Sequence, residues 1–452
     1  MMNIRRFVPC ALRGALLATL ALTLTATASH AQVGPAAPPV APTPELSSSQ
    51  PAPETPTAEP PPVVAEPAPV VEAQPEPVAT VKDAQASKDQ KPAVHVTYDK
   101  GFVLASEDDK FETRIALRTQ FRFESSRPTE DGSEFLSRTY IARARLQLEG
   151  HVYGKDNRYK LETSLGDRGS FTFVRDAYLE HKFSSVWLRV GQWKRPHNRQ
   201  ELVSDFSSVF NERAVTADFV GGGRDMGLAL HNDYEKSPEG LEWVVGVFNG
   251  FSGGADRPAL TTTCTANATT GAITCRNATP PPSTLVARAG WNVGKIKGYS
   301  EGDLEGGPLR VAVGASYKLN LANFDKGAQS SVSKNFSHSA QADVLLKSNG
   351  LDVLAAVYVQ KLAGGDTELG ALLQGGYFVT PKQLQLAGRF AFHQAPGDRN
   401  QLEGRVAVNY YLAGHSYKLA SDAGFLQLTG EDAMGVKDKA DLQARVMAQM
   451  TF

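Results

Sequence analysis

Residues 112–124 read Glu-Thr-Arg-Ile-Ala-Leu-Arg-Thr-Gln-Phe-Arg-Phe-Glu, and this stretch decides the fold. If it is a β-strand, its side chains point alternately to two faces. One face is then apolar and carries Ile115, Leu117, Phe121 and Phe123. The other carries Arg114, Ala116, Arg118, Gln120 and Arg122. A single strand of this kind also suits a soluble sandwich, but the alternation recurs as far as Phe452 behind an export signal. Together these features predict a barrel with an apolar outside and a wet, arginine-lined inside.

Residues 1–31 have the organisation of a secretory signal peptide. Arg5, Arg6 and Arg13 supply the positive start, residues 15–24 form the apolar core, and Ser29-His30-Ala31 provides the cleavage site. A retained membrane anchor is the alternative, but about ten apolar residues are too few where about twenty are needed to span a bilayer. We therefore expect this segment to direct export and to be removed.

The rest of the chain has no apolar run long enough for a helical span. Such a chain either stays soluble outside the cytoplasm or enters a membrane as a closed barrel, which satisfies every backbone group in lipid. The formal net charge of -1 gives no indication of a nucleic-acid partner.

Residues 32–92 differ in composition from everything that follows. Fifteen of the 27 prolines fall between Pro35 and Pro77, among Ala, Val and Glu. A segment with so few aromatic residues cannot bury enough surface to offset the cost of ordering, so we predict a disordered periplasmic linker. Two interpretations of this arm are open: a plain tether, or a segment that contacts peptidoglycan or another envelope component.

Residues 93–452 form the predicted all-β domain, a transmembrane antiparallel β-barrel. Period-two alternation between Gly, Asp and Asn turns indicates sixteen strands, within an even number between 14 and 18. The candidate strands are 112–124, 139–150, 158–165, 173–183, 186–193, 225–234, 241–249, 284–293, 308–319, 335–346, 351–361, 368–379, 383–393, 402–412, 415–423 and 440–452.

The connections between these strands alternate between tight and long, as expected for a barrel with turns at one rim and loops at the other. Residues 154–157, 380–382 and 413–414 are tight turns. The stretch 194–223 is long, polar and rich in charge, and it includes Lys194 and Arg195. We predict that it folds into the barrel as a constriction loop; the alternative is a rim loop that meets only water or a neighbouring subunit.

The predicted inward positions carry more basic than acidic side chains, thirteen against eight. Rings of Arg and Lys favour anions, and Arg also matches phosphate oxygens with its forked donors. The alternative is that the arginines pair with neighbouring carboxylates, as in many unselective channels. The inward basic residues are Arg114, Arg118, Arg122, Arg143, Arg145, Arg189, Arg288, Arg310, Lys318, Arg389, Arg405, Lys418 and Arg445. The predicted anion pathway consists of Lys194, Arg195 and all of these residues except Lys418 and Arg445.

Two cysteines remain after removal of the signal, Cys264 and Cys275, on either side of a polar stretch. An even number of cysteines in an oxidising compartment predicts one disulfide that closes a surface loop. A metal site is the alternative, but no His or Cys partner lies nearby.

Several short motifs together resemble the phosphate-selective porins O and P, over about residues 101–452. The resemblance is densest in Ala142-Arg143-Ala144-Arg145-Leu146-Gln147-Leu148-Glu149-Gly150, in Val190-Gly191-Gln192-Trp193-Lys194-Arg195-Pro196 and in Gly246-Val247-Phe248-Asn249-Gly250. It implies a trimeric, sixteen-stranded outer-membrane channel with a ladder of arginines that leads anions to a lysine-rich constriction. Arg143, Arg145 and Lys194 match the patterned positions of the family.

Passive diffusion of small anions, phosphate or polyphosphate, is therefore the predicted function. The expected surroundings are outer-membrane lipid of a Gram-negative bacterium, with the N-terminal arm in the periplasm. A general or differently selective porin is the alternative within the same class. An outer-membrane enzyme or adhesin is the alternative from another class. The sequence contains no His-Glu-x-x-His motif and no phosphate-cradling motif, so we predict no catalytic residue, cofactor or metal.

Overall fold

Sixteen antiparallel strands, each hydrogen-bonded to the next along the chain, close into a barrel. The structure is a computed structural model. It describes residues 94–452 except 129–133, 167–173, 221–222, 250–260, 267–272, 279–283, 321–336, 362–365, 395–398 and 431–438. The predictions for the signal (1–31) and the linker (32–92) therefore lie outside the described residues.

Four of the described strands lie outside the barrel wall itself. β1 (Val94–Tyr98) and β2 (Phe102–Ser106) form a hairpin that joins the sheet through β2, and β10 (Thr261–Ala266) and β11 (Ile273–Ala278) form a separate hairpin. The barrel strands are β3 (Glu112–Pro128), β4 (Leu136–His151), β5 (Asn157–Gly166), β6 (Val174–Phe183), β7 (Val186–Lys194), β8 (Arg224–His231), β9 (Gly240–Phe248), β12 (Thr284–Val293), β13 (Arg310–Asn320), β14 (Ser337–Ser348), β15 (Leu351–Lys361), β16 (Thr367–Thr380), β17 (Leu384–Gln394), β18 (Asn400–Ala413), β19 (Tyr417–Thr429) and β20 (Lys439–Thr451).

Helical structure is confined to short turns. The α-helices are α1 (Arg199–Leu202) and α2 (Val215–Phe219), and 3₁₀ turns cover Asp205–Ser207 and Tyr234–Lys236. Within the described ranges, no helix combines the length and the apolar character needed to cross a membrane.

The barrel closes where its last strand pairs with its first. β20 runs antiparallel to β3 with Met447 opposite Arg122, and the backbone groups of Leu117 and Phe452 exchange hydrogen bonds of 2.6 and 2.9 Å. Every strand predicted from period-two alternation corresponds to one wall strand, so the predicted number of sixteen is confirmed. The predicted strand 225–234 extends too far, because the chain leaves the ladder after His231 and enters a 3₁₀ turn.

The two faces of the wall meet different surroundings, as the alternation predicts. On β13, Val313 and Tyr317 point outward with 42% and 44% of their surface exposed, whereas Ser316 and Lys318 point inward and retain only 6% and 8%. Apolar side chains exposed in this way are stable against lipid rather than water. Burial of the polar side chains means that the lumen is largely filled.

A β-bulge in β4 sets the direction of two arginines that lie in the lumen. Phe121 pairs with Ile141 while the neighbouring Gln120 pairs with Arg143, so Ala142 is an extra residue without a partner. A bulge of this kind re-aims the side chains beyond it. Ile141 consequently stays on the exposed face, and Arg143 lies 94% buried in the lumen.

Two connections fill the lumen from opposite rims. Residues 195–220 follow β7 at the rim with the longer connections, and we call them the lumen loop. Residues 294–309 join β12 to β13 at the rim with the shorter connections, and we call them the inner turn. Contacts of the lumen loop with Ser339 of β14 and Gln449 of β20 show that it crosses the barrel interior.

Half of the lumen is closed by apolar packing that the sequence analysis did not predict. Ala214 and Val220 of the lumen loop and Ile296 of the inner turn pack on inward-facing side chains of β13–β17. Those wall residues are Ala312, Leu345, Leu354, Ala356, Tyr358, Leu372 and Ala391. The predicted wet inside does not extend to these positions, because here the wall meets protein instead of water.

Candidate functional site

Three lysines of the wall hold the backbone of the lumen loop. Lys194 Nζ donates hydrogen bonds to the carbonyl oxygens of Glu201 at 2.6 Å and Val203 at 3.0 Å. Lys418 Nζ donates to Ser208 O at 2.5 Å, and Lys318 Nζ donates to Val220 O. Carbonyl oxygens satisfy the donors of a buried lysine without adding an opposite full charge beside it.

The acidic side chains of the lumen loop pair with arginines of β3 and β4. Asp205 accepts from Arg145 Nη2 at 2.8 Å and lies 3.4 Å from Arg143 Nε. Burial opposes ionisation of Asp205, but Arg213, Arg143 and Arg145 outweigh it and hold the pKa of that carboxyl well below its usual value. The loop therefore carries fixed negative charge that compensates part of the arginine-rich wall.

A second loop carboxylate and an aromatic ring complete this contact. Glu212 pairs with Arg143 at 3.0 Å and with Arg122. Phe206 packs beneath Arg118, whose guanidinium carbon lies 4.2 Å from the ring centroid. Stacking on a ring fixes the plane of a guanidinium and leaves its donor edges directed into the lumen.

The three arginines of β3 do not form an uncompensated ladder. Arg114 lies 3.1 Å from Asp99 and 3.5 Å from Glu149. Arg118 lies 3.3 Å from Glu162, and Arg122 pairs with Glu212. Ion pairing with neighbouring carboxylates, which the sequence left open, is therefore what the described structure has.

The remaining predicted residues also lie in ion pairs, at separate places around the lumen. Arg195 belongs to the lumen loop and not to the wall; all the others are wall residues. The pairs are Arg189 with Glu180 and Glu235, Arg195 with Asp225, Arg288 with Asp343, Arg310 with Asp303, Arg389 with Glu403, Arg405 with Asp422, and Arg445 with Glu124.

Open space lies on the side of the lumen formed by β3–β8. A cavity of about 580 Å³ opens at the short-connection rim, and a cavity of about 200 Å³ lies deeper, with Lys160, Tyr178 and Glu235 lining both. Lys194 and Arg118 line the deeper one. The described lining of the two cavities includes eleven basic and eight acidic side chains, a net excess of three positive charges.

The path narrows sharply beside the lumen loop. A void of about 10 Å³ is enclosed by Arg143, Arg213, Arg389 and Glu301, and Ser204 lines both this void and the 200 Å³ cavity. A space of this size holds about one water molecule. The lumen loop therefore borders a space with room for little more than one water molecule.

Several residues of the site were not identified from the sequence. Phe206 and Phe210 stack beneath arginines of the wall, and Glu301 of the inner turn reaches the narrow void. Two signals were present: the inner turn is longer than the other connections at its rim, and β14–β16 have apolar residues on both faces. Apolar residues on both faces indicate that the inner face packs on a protein segment.

The hairpin of β10 and β11 carries Cys264 and Cys275. Cys264 lies directly opposite Cys275 in the register of β10 and β11, while their side chains are outside the described atoms. The disulfide thus stays a prediction. Among the residues that the structure describes, no cluster of His, Cys, Asp and Glu has the size and composition to hold a metal ion.

The arginine-rich wall strands and the lumen loop fall within the part of the chain that matches a known family. Residues 112–303 match the family model of phosphate-selective porins O and P. The resemblance noted from the motifs is confirmed over this part of the chain. The match includes Arg143, Arg145 and Lys194, and it ends within the inner turn. No curated protein sequence matches the chain.

Solved porin structures align with this barrel at low sequence identity. OprB of Pseudomonas putida is 12% identical, with a TM-score of 0.48 over 75% of this chain and 94% of its own. The anion-selective porin of Comamonas acidovorans is 12% identical, with a TM-score of 0.46 over 75% and 100%. The channel DcaP of Acinetobacter baumannii is 14% identical, with a TM-score of 0.47 over 75% and 97%.

Proposed function

We propose that this chain forms an outer-membrane channel for the passive diffusion of small anions, with phosphate or polyphosphate as the substrate. The observation that carries the proposal is the net excess of three positive charges around the two cavities. A cavity whose lining carries net charge of one sign, within a low-dielectric wall, concentrates ions of the opposite sign. The description of the family that matches residues 112–303 supports phosphate as the anion.

Lys194 is the group best placed to act on a passing anion. It lines the 200 Å³ cavity, and its hydrogen bonds go to carbonyl oxygens of the loop. An anion beside Lys194 meets an ammonium whose hydrogen bonds go to carbonyl oxygens and not to carboxylates. The charges of the nearby arginines are partly compensated by the carboxylates with which they pair. Weak, successive contacts of this kind allow an ion to enter and to leave.

A porin without phosphate specificity is the second candidate, and one observation favours it. Arg189, for example, is compensated by both Glu180 at 2.7 Å and Glu235 at 2.9 Å. Phosphate recognition by a guanidinium needs two parallel donors that are free to face the ion. Arginines engaged in this way contribute to the general field more than to the recognition of a particular anion.

Planar-bilayer recording separates the two candidates. In a potassium chloride gradient we expect a reversal potential of the sign given by chloride permeation. Added phosphate should reduce the chloride current, because it occupies the same positive region for longer. A reversal potential of the opposite sign would overturn the anion channel, and a chloride current that phosphate leaves unchanged would favour the porin without phosphate specificity.

The surroundings of the channel are part of the same proposal. We infer a homotrimer, as the family resemblance implies, and an N-terminal arm on the periplasmic side. β1 begins at Val94 beside the turn that joins β2 to β3, at the rim with the shorter connections. Short connections are typical of the periplasmic rim of outer-membrane barrels. Residues 32–92 would then extend towards peptidoglycan.

A further inference from the structure

The inner turn and the lumen loop enter the barrel from opposite rims and bind each other. The backbone N–H, the carboxylate and the carbonyl oxygen of Glu301 each form a hydrogen bond. Its backbone N–H donates to Ser207 O at 2.9 Å, and its carboxylate accepts the N–H of Val209 at 2.7 Å. Its carbonyl oxygen accepts a hydrogen bond at 2.9 Å from Nε2 of His415, in the turn between β18 and β19. One residue therefore joins the inner turn, the lumen loop and this neighbouring turn.

A second contact lies a few residues earlier on the inner turn. Arg199 of the lumen loop donates from Nη1 to Gly298 O at 2.8 Å, and Gly298 N–H donates to Ser237 Oγ at 2.9 Å. A Cβ at position 298 would lie 2.9 Å from the Arg199 nitrogen, which is closer than real Cβ contacts. Glycine at this position allows the two segments to approach.

The inner turn is itself fixed to the wall. Lys347 Nζ donates to Ser300 O at 2.7 Å and to Lys297 O at 3.2 Å, and Arg310 pairs with Asp303. A segment anchored on both sides of Glu301 is a rigid support. The lumen loop is held by such supports together with its own wall contacts, such as His197 with Ser339 and Phe206 with Gln449.

Glu301 also borders the small void beside the lumen loop. It lines the void of about 10 Å³ together with Arg143, Arg213 and Arg389, and only 3% of its surface is exposed. We propose that Glu301 is a positioning residue, which holds the lumen loop at one place and thereby sets the bore through which anions pass. The proposal rests on the proposed channel function, because a bore matters only if ions cross it.

The length of the Glu301 side chain can be separated from its charge. Glu301→Asp keeps the charge but shortens the side chain by one methylene, so its carboxylate no longer reaches Val209 N–H. Glu301→Gln loses the charge but keeps an oxygen that can accept the same hydrogen bond. A lost hydrogen bond of this type corresponds to a roughly tenfold rise in the population of the displaced loop. We therefore expect Glu301→Asp to raise the variance of the open-channel current, and Glu301→Gln to stay close to the wild type.

Glu305→Asp is the matched control, since Glu305 lies on the same segment and pairs with Lys297 and Arg310 instead of the loop. Its current variance should equal that of the wild type. Heat-modifiability on gels, applied to every variant, shows that each barrel has folded. Equal variance in Glu301→Asp and the wild type, or a larger change in Glu301→Gln than in Glu301→Asp, would overturn the proposal. The sign of the wild-type reversal potential tests the anion channel separately, so failure of one proposal does not imply failure of the other.

Discussion

At the scale of single residues, the lumen holds two kinds of basic side chain. The arginines form ion pairs, as Arg145 does with Asp205 and Glu162. Lys194, Lys318 and Lys418 bind carbonyl oxygens of the lumen loop, whereas Lys160 pairs with Asp176 at 3.1 Å. The difference has a physical reason, because the planar fork of Arg matches a carboxylate, whereas the compact ammonium of Lys fits among backbone oxygens. Selectivity should therefore depend more on the lysines than on the more numerous arginines.

Replacement of Lys194 tests this difference. Lys194→Glu reverses a charge at the lining of the 200 Å³ cavity. We expect the ratio of anion to cation permeability to fall by roughly two- to tenfold, the range for unit charges in a medium between water and protein. Lys194→Gln is the control, because its amide still donates to the loop carbonyls, and it should have a smaller effect. The measurement is the reversal potential in a salt gradient; an unchanged value in Lys194→Glu would show that this residue does not act on permeating ions.

At the scale of elements, the barrel strands followed from local alternation, and the inserted segments did not. The lumen loop was expected inside the barrel because of its length and polarity, and its contacts place it there. The inner turn was not expected there, although its length and the apolar inner faces of β14–β16 were signals, because its position depends on distant partners. Its partners, such as Ser207 and Val209, lie far away in the sequence.

The hairpin of β10 and β11 offers a prediction about covalent structure. Residues directly opposite in an antiparallel pair have Cα atoms about 4.5–5.5 Å apart, within the range of about 4.4–6.8 Å that disulfides adopt. Cys264 and Cys275 occupy such a pair. We expect the exported protein to show no free thiol on labelling under denaturing conditions, and two after reduction. The variant Cys264→Ser with Cys275→Ser controls for background labelling, and two free thiols before reduction would contradict the bond.

At the scale of the whole molecule, each wall strand separates lipid from the filled lumen. Val313 and Tyr317 are exposed on the outer face, while their neighbours in β13 are buried within the barrel. An apolar surface of this kind around the whole barrel would cause aggregation in water. We infer that lipid covers this exterior, and the described cavities lie on the side of the lumen near β3–β8.

Site-specific labels test the orientation of the wall. A fluorophore on Val313→Cys or Val408→Cys should be quenched by brominated lipid, since both positions belong to the outward series of their strands. Ser316→Cys provides the matched inward control on β13, where 6% of the native side chain's surface is exposed, and its fluorescence should be unaffected. Equal quenching at the inward and outward positions would contradict the assignment of faces, as would monodisperse protein in buffer without detergent.

The sequence by itself determined the class of fold, the sixteen wall strands and the direction of most lumen arginines, because a strand has a period of two and each face meets one solvent. It also predicted which connection folds inward at the long-connection rim. Tertiary structure alone decided which of those charges are compensated, where apolar packing fills the lumen and that Glu301 supports the loop. These outcomes depend on contacts between residues that are distant along the chain, such as Glu301 with Val209 or Leu354 with Val220, and no local pattern encodes them.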